Sequence, residues 1–128
     1  MSTDQRQPAI RVLMMPKHTN SHGTIFGGII LSYLDQAGAV AAINMGCPRV
    51  VTVAMDKVEF HQPVHVGDLV SFYAAITGVG RTSLTVNVQV EAQRRASGRQ
   101  VAVTSADLTF VNIGEDGQPI PVPDRPRV

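Results

Sequence analysis

The sequence predicts an α+β domain: a five-stranded antiparallel sheet wrapped around one long central helix, in the element order β-α-β-β-β-β. Three observations carry this expectation. One run, Gly28–Met45, is apolar at helical spacing and long enough for about five turns. After it the apolar period changes to two. The links "GVGR" and "RASGR" between the last strands are short and glycine-containing, which makes those strands antiparallel neighbours. The lengths agree as well. An 18-residue helix is about 27 Å long, and a strand of ten residues about 33 Å, so a curved sheet can wrap lengthwise around its helix.

Taken in order, "AIRVLM" (Ala9–Met14) reads as a first strand closed by Pro16, and Lys17–Phe26 as a polar loop. In the helix, Ile29, Ile30, Leu31, Leu34, Ala37, Val40, Ala41 and Ile43 cover nearly the whole circumference, the mark of a helix buried on most sides. Gly46 and Pro48 end it. Arg49–Phe60 is a Val-rich strand stopped before Pro63. A tight "HVGD" turn leads into the strand Asp68–Thr77. Ser83–Gln93 alternates most cleanly, with Leu84, Val86, Val88 and Val90 on one face and Thr85, Asn87, Gln89 and Glu91 on the other. Val101–Ile113 is the last strand. We expect one domain over residues 8–114 and a Pro-rich C-terminal tail over 115–128, with the tail "GEDGQPIPVPDRPRV" extended or mobile. Such a sheet has open edges and such a helix an uncovered apolar side, so at least a twofold dimer is expected.

Composition narrows the function classes. A chain of 128 residues suits one domain with a modest core. It has no Trp, so that core rests on aliphatic side chains and Met. A net charge of +1 points to neither nucleic acid nor an anionic membrane as partner. Asp35 is the only charged residue between Gly27 and Met45, and it argues against reading that run as a membrane span. A single cysteine, Cys47, with no base nearby in sequence, reads as a buried inert thiol in a reducing compartment. The opening residues contain no signal-peptide-like run, so a cytoplasmic protein is expected.

Two features invite chemistry. An ionised Asp35 inside a mostly buried helix is costly unless it is paired or used; the plain alternative is a carboxylate at the helix edge bonded to a strand. Gly27 and Gly28 stand at the helix start, where the first N–H groups are unpaired and the dipole is positive. Such an end can polarise a carbonyl as an oxyanion hole does, or the glycines can simply make a turn. Gly28 and Asp35 are two turns apart on one face, about 10 Å along the axis. That is too far for one small reacting group to touch both. Two antiparallel helices across a twofold axis would bring the glycine end of one chain to Asp35 of the other, in an arrangement suited to attack on a carbonyl.

Other candidates are weaker. His18 with His22, and His61 with His65, have metal-ligand spacing only on a helix, and loop glycine and Pro63 argue against helices there, so no metal is expected. Arg81, Arg94, Arg95 and Arg99 lie at or near the ends of one predicted hairpin. They form either a solvated rim or a patch for phosphate groups.

The segment "MPKHTNSHGTIFGGIILSYLDQAGAVAA" resembles the signature of the hotdog-fold acyl-CoA thioesterases, in their acyl-CoA hydrolase branch of compact single-domain members. "VVTVAMDKVEFHQPVHVGDLVSFYAAI" and "GRTSLTVNVQVEA" follow in order, so the resemblance spans about Ile10 to Ile113. It implies a hotdog dimer, often a trimer of dimers, that hydrolyses acyl-CoA to free acid and CoA with no further cofactor. It implies that Asn20 and Asp35 from opposite subunits form the site, with the amide of Gly28 holding the thioester carbonyl beside Gly27. Thr82 and Ser83 match the strand start that lies near the CoA arm in similar proteins. Apart from the resemblance, His18 or His22 is expected to polarise a substrate or support the loop, Arg81 to take part in substrate binding beside Thr82, and Met55 and Tyr33 to bear on acyl fit. Two rivals stand beside hydrolysis: a non-catalytic acyl-CoA binding or sensing module and, further off, an enoyl-CoA hydratase, whose Asp–His motif is not found.

Overall fold

The structure, a computed structural model, describes residues 6–123. The end of the predicted tail, 124–128, lies outside the described residues. The elements are β1 (Ile10–Leu13), a 3-10 turn (Pro16–His18), α1 (Gly27–Asn44), β2 (Val50–Phe60), β3 (Leu69–Val79), β4 (Ser83–Gln93) and β5 (Gln100–Asn112). The five strands form one antiparallel sheet in the order β1-β3-β4-β5-β2, with α1 packed on one face. This is the hotdog arrangement expected from the sequence, and the bounds of β4 are those its alternation marks. The chain from β2 to β3 crosses the sheet, because β2 lies at one edge and β3 beside the other. Among the described residues, no helix is long and apolar enough to cross a membrane.

Alternation builds the core. Leu84, Val86, Val88, Val90 and Ala92 of β4 all point inward and are buried. Against them α1 presents Ile30, Leu34, Ala37, Gly38 and Ala42. These recur at helical spacing and form one stripe. Gly38 allows the closest approach, since a Cβ there would fall 2.8 Å from the ring of Phe110 in β5. The helix is therefore less enclosed than its composition suggests. Ile43 is 50% exposed and Leu31, Ala39 and Val40 are half-buried, because a single chain's sheet covers only one side of the cylinder.

The two sheet edges differ. β1 is four residues long, too short to offer much of a template. β2 has eleven residues and exposes Val51, Val53 and Phe60. Its register against β5 slips between Thr52 and Ala54 and again between Asp56 and Glu59, where Lys57 takes a positive φ of 54°. Such bulges bend a strand and re-aim the side chains beside them.

The predicted tail does not project from the domain over its described length. Residues 114–117 turn, Ile120 N donates to Asn112 O, and Val122 N donates to Arg81 O. The Asn112 side chain donates to Pro121 O, and Val122 is buried in the core. Proline removes donors but leaves carbonyls and apolar surface, which are what this segment uses to pack.

Candidate active site

The loop between β1 and α1 is a small pinned hairpin. Thr19 and Ile25 pair as an isolated bridge, Ile25 N donates to Val64 O, and Phe26 N donates to His18 O. Asn20 organises the tip. Its Oδ1 accepts from the backbone N–H of His22 at 2.8 Å and of Thr24 at 3.2 Å, while Nδ2 donates to Thr24 Oγ1 at 3.0 Å. An amide nitrogen carries two hydrogens, so one N–H of Asn20 is left over as a donor. His22 is exposed at the tip. His18 accepts from Met15 N through Nδ1 and sets its ring edge-on to Tyr33, so it supports the loop.

The loop delivers the chain into α1 at Gly27. No side chain caps the helix, and Ile29 N bonds back to Phe26 O. The N–H groups of Gly27 and Gly28 have no acceptor among the described residues. A Cβ on Gly28 would fall 2.7 Å from the Phe26 ring, so glycine keeps this end open.

Asp35, two turns on, is half-buried on the side of α1 that faces β2. Its Oδ1 accepts a 2.6 Å hydrogen bond from Thr52 Oγ1, and Oδ2 has no partner among the described residues. Thr52 reaches it because of register. Thr52 pairs with Phe110, which pairs with Leu84, and residues directly opposite share a face. Phe110 and Leu84 point into the core, so Thr52 does too, at the open edge. Thr52 is absent from the residues singled out by sequence; only the pairing of β2 with β5 could reveal it. The same pairing sets Ser83 opposite Val111 and Val111 opposite Val51. Thr82 and Ser83 therefore lie about two strand spacings, roughly 10 Å, from the end of β2 that holds Thr52. Met55 pairs with buried Leu108 and packs against the core from β2.

The expectation of an arginine patch needs correction. The arginines do not form one patch. Arg81 sits in the β3–β4 turn, whereas Arg94, Arg95 and Arg99 sit at the β4–β5 turn, the full length of an eleven-residue strand away. Arg94 is engaged structurally, with Nη1 2.6 Å from Asp68 Oδ2, and both side chains are largely buried. Tyr33 faces Phe72 of β3 and His18, on the far side of α1 from β2, so it is anchored under the loop. Cys47 is fully buried, and burial pushes its thiol up, away from the reactive thiolate. Among the described residues, no three His, Cys, Asp or Glu side chains converge as a metal site would require.

A cavity of about 320 Å³ opens beside the helix start, lined by Ile25, Gly27, Ile30, Phe60, His61, Gln62, Pro63, Val64 and Thr104. The chain thus presents two half-sites along α1: open amides beside a cavity, and a carboxylate held by one oxygen.

This fold and this arrangement define a hotdog domain with thioesterase features, and the comparisons agree. The thioesterase superfamily model matches residues 22–99, and the chain belongs to that superfamily. It is 44% identical to an uncharacterized acyl-CoA thioester hydrolase of Zymomonas mobilis over 91% of this chain and 78% of that one. It is 38% identical to the acyl-CoA thioester hydrolase YciA of Salmonella typhimurium, over 95% of this chain and 94% of that one. The structure superposes with a TM-score of 0.89 on a hexameric hotdog fold thioesterase of Campylobacter jejuni, 44% identical, covering 94% of this chain and 93% of that one.

Proposed function

We propose that the protein hydrolyses acyl-CoA thioesters to a free carboxylic acid and CoA, in a site shared by two chains. The observation that carries this reading is the split along α1. The open amides of Gly27 and Gly28 and the free oxygen of Asp35 lie on one helix but about 10 Å apart along it. A second copy running antiparallel brings its own Asp35 to this helix start. The long exposed edge of β2, with Val51, Val53 and Phe60 uncovered, supports pairing of that kind. The Campylobacter jejuni relative is hexameric, which favours a trimer of such dimers.

In this site the Gly28 N–H donates to the thioester oxygen as negative charge grows on it, where a pre-aligned donor contributes most. Asp35 Oδ2 either takes a proton from the attacking water or adds to the carbonyl itself, while Thr52 fixes Oδ1. The remaining N–H of Asn20 orients the water or the thioester. The tetrahedral intermediate collapses with loss of the CoA thiolate; when water attacks, the thiolate takes up the proton that Asp35 received, and when Asp35 attacks, the thiolate is protonated from solvent and water then cleaves the acyl–Asp35 anhydride to the free acid. Arg81, Thr82 and Ser83 receive the CoA arm, and His22 and Met55 flank the substrate. Coenzyme A belongs to the substrate, and the chemistry needs no other cofactor or metal. The buried Cys47 thiol, with no disulfide to form, suits a reducing cytoplasm.

The test is release of free thiol, followed with DTNB, from acyl-CoAs running from acetyl to palmitoyl. Asp35→Asn keeps the shape and removes the base, and it is expected to lower turnover by at least about 100-fold. Near-wild-type hydrolysis of every substrate by that variant defeats the reading. Tight acyl-CoA binding by the wild-type protein with no thiol released identifies a binding module instead.

A further inference from the structure

Resting on the thioesterase reading, we infer that the cavity at the helix start holds the acyl group, that Phe60 limits its length, and that Thr104 selects short acyl groups bearing an oxygen, as hydroxyacyl or oxoacyl thioesters do. The two substituents of a thioester carbonyl point away from each other. With the carbonyl oxygen on the Gly28 amide and the sulfur side directed to the arm formed by Arg81, Thr82 and Ser83, the acyl carbon must leave on the Gly27 side. There the cavity begins, since Gly27 itself lines it.

The size of the cavity bounds its content. About 320 Å³ is at the low end of ligand pockets, which run from roughly 300 to 1,000 Å³. Phe60 stands across it from Gly27, where a Cβ would fall 3.5 Å from the Phe60 ring, an ordinary contact distance. A short acyl chain fills this space, and a long one must displace the ring.

Thr104 supplies the buried polarity, while the exposed His61 and Gln62 also line the cavity. Thr104 pairs with Phe60 on one side and with buried Val90 on the other, so all three share the inward face. It is 2% exposed and lines the cavity beside Ile25, Ile30 and Val64. Its hydroxyl has no hydrogen-bond partner among the described residues and is not one of their enclosed unpaired atoms, so it is open to the cavity, where a partner can reach it. A threonine hydroxyl both donates and accepts. It therefore suits a ketone, to which it donates, and an alcohol, from which it accepts.

The experiment compares kcat/KM for butyryl-CoA, 3-hydroxybutyryl-CoA, acetoacetyl-CoA and octanoyl-CoA in the wild-type protein, Thr104→Val, Thr104→Ser and Phe60→Ala. Thr104→Val preserves shape. It is expected to lower the ratio of each oxygenated substrate to butyryl-CoA about tenfold, with Thr104→Ser restoring it. Phe60→Ala is expected to raise the octanoyl-to-butyryl ratio about tenfold. The same substitutions in an Asp35→Asn background, read as acyl-CoA affinities by calorimetry, report the contacts without turnover. They keep this inference apart from the catalytic reading. Ratios unchanged within twofold in both formats, with Asp35→Asn inactive, overturn the inference and leave the hydrolase reading intact. If Phe60→Ala does not fold, the Thr104 pair decides alone.

Discussion

Thr52 Oγ1 donates to Asp35 Oδ1 at 2.6 Å, joining the edge strand β2 to the middle of α1. One bond to one oxygen removes the carboxylate's rotation and leaves Oδ2 for substrate or water. An Asp with a single short partner, at an open edge beside uncovered apolar surface, is positioned rather than neutralised. No cation pairs with it among the described residues.

Thr52 accordingly acts through Asp35. Thr52→Val keeps the β-branched shape and deletes the donor. It is expected to lower kcat by about 10- to 100-fold, the scale of a loss of alignment, with KM little changed. Thr52→Ser should recover most of the rate. Equal kcat for Thr52→Val and wild type in steady-state thiol release would show that the bond does not serve the reaction.

The arginines separate by role. Arg94→Ala leaves the buried Asp68 carboxylate without its partner, and loss of one member of a buried pair costs about 3–5 kcal/mol. A fall in urea midpoint is expected. Arg81, exposed in the β3–β4 turn, should show the opposite pattern: a several-fold rise in KM for acyl-CoA, with stability within about 0.5 kcal/mol of wild type. A stable Arg94→Ala protein with weakened CoA binding would reverse the two assignments.

Cys47 sets an alkaline limit on stability. Burial raises its folded pKa, so the unfolded thiol loses its proton first as pH rises. The unfolded chain then holds fewer protons than the folded one, and the slope of unfolding free energy against pH is negative. The stabilisation is complete below the unfolded thiol's pKa, about 8.5, and is lost as pH climbs from there through the raised folded value. Urea melts at pH 7 and pH 9.5 should show a larger loss for wild type than for Cys47→Ala. Equal losses would mean that the thiol is not desolvated in the folded state.

Much of this was readable from residues alone. The strict alternation of Leu84, Val86, Val88 and Val90 marked β4 to its ends, because one face of it is buried and the other is not. The helix was legible from its spacing, and Asp35 from being the one charge within it. What a linear pattern does not carry is register between strands distant in sequence. Thr52 meets Asp35 only because β2 pairs with β5 at Phe110, and the bulge beside Val53 shifts that pairing. Arg94 reads as a surface cation in the sequence, but β3 pairs with β4 so that Leu69 lies opposite Gln93, which sets Asp68 beside Arg94. The surroundings of Tyr33 and the packing of the tail are hidden from the sequence for a related reason: rotation about a helix and the docking of a proline-rich segment depend on what lies opposite.

The central claim is that Asp35 works with the loop and helix start of a different chain. Asp35→Asn and Asn20→Ala chains, each inactive alone, can be mixed by dissociation and reassembly, and the thiol-release rate measured. Random pairing makes half of the dimers mixed, and each mixed dimer holds one site with both residues intact. Recovery of up to about a quarter of wild-type activity is therefore predicted. If Asp35 and Asn20 of one chain serve the same site, every site in the mixture keeps a defect, and activity no higher than that of the separate variants would contradict the account.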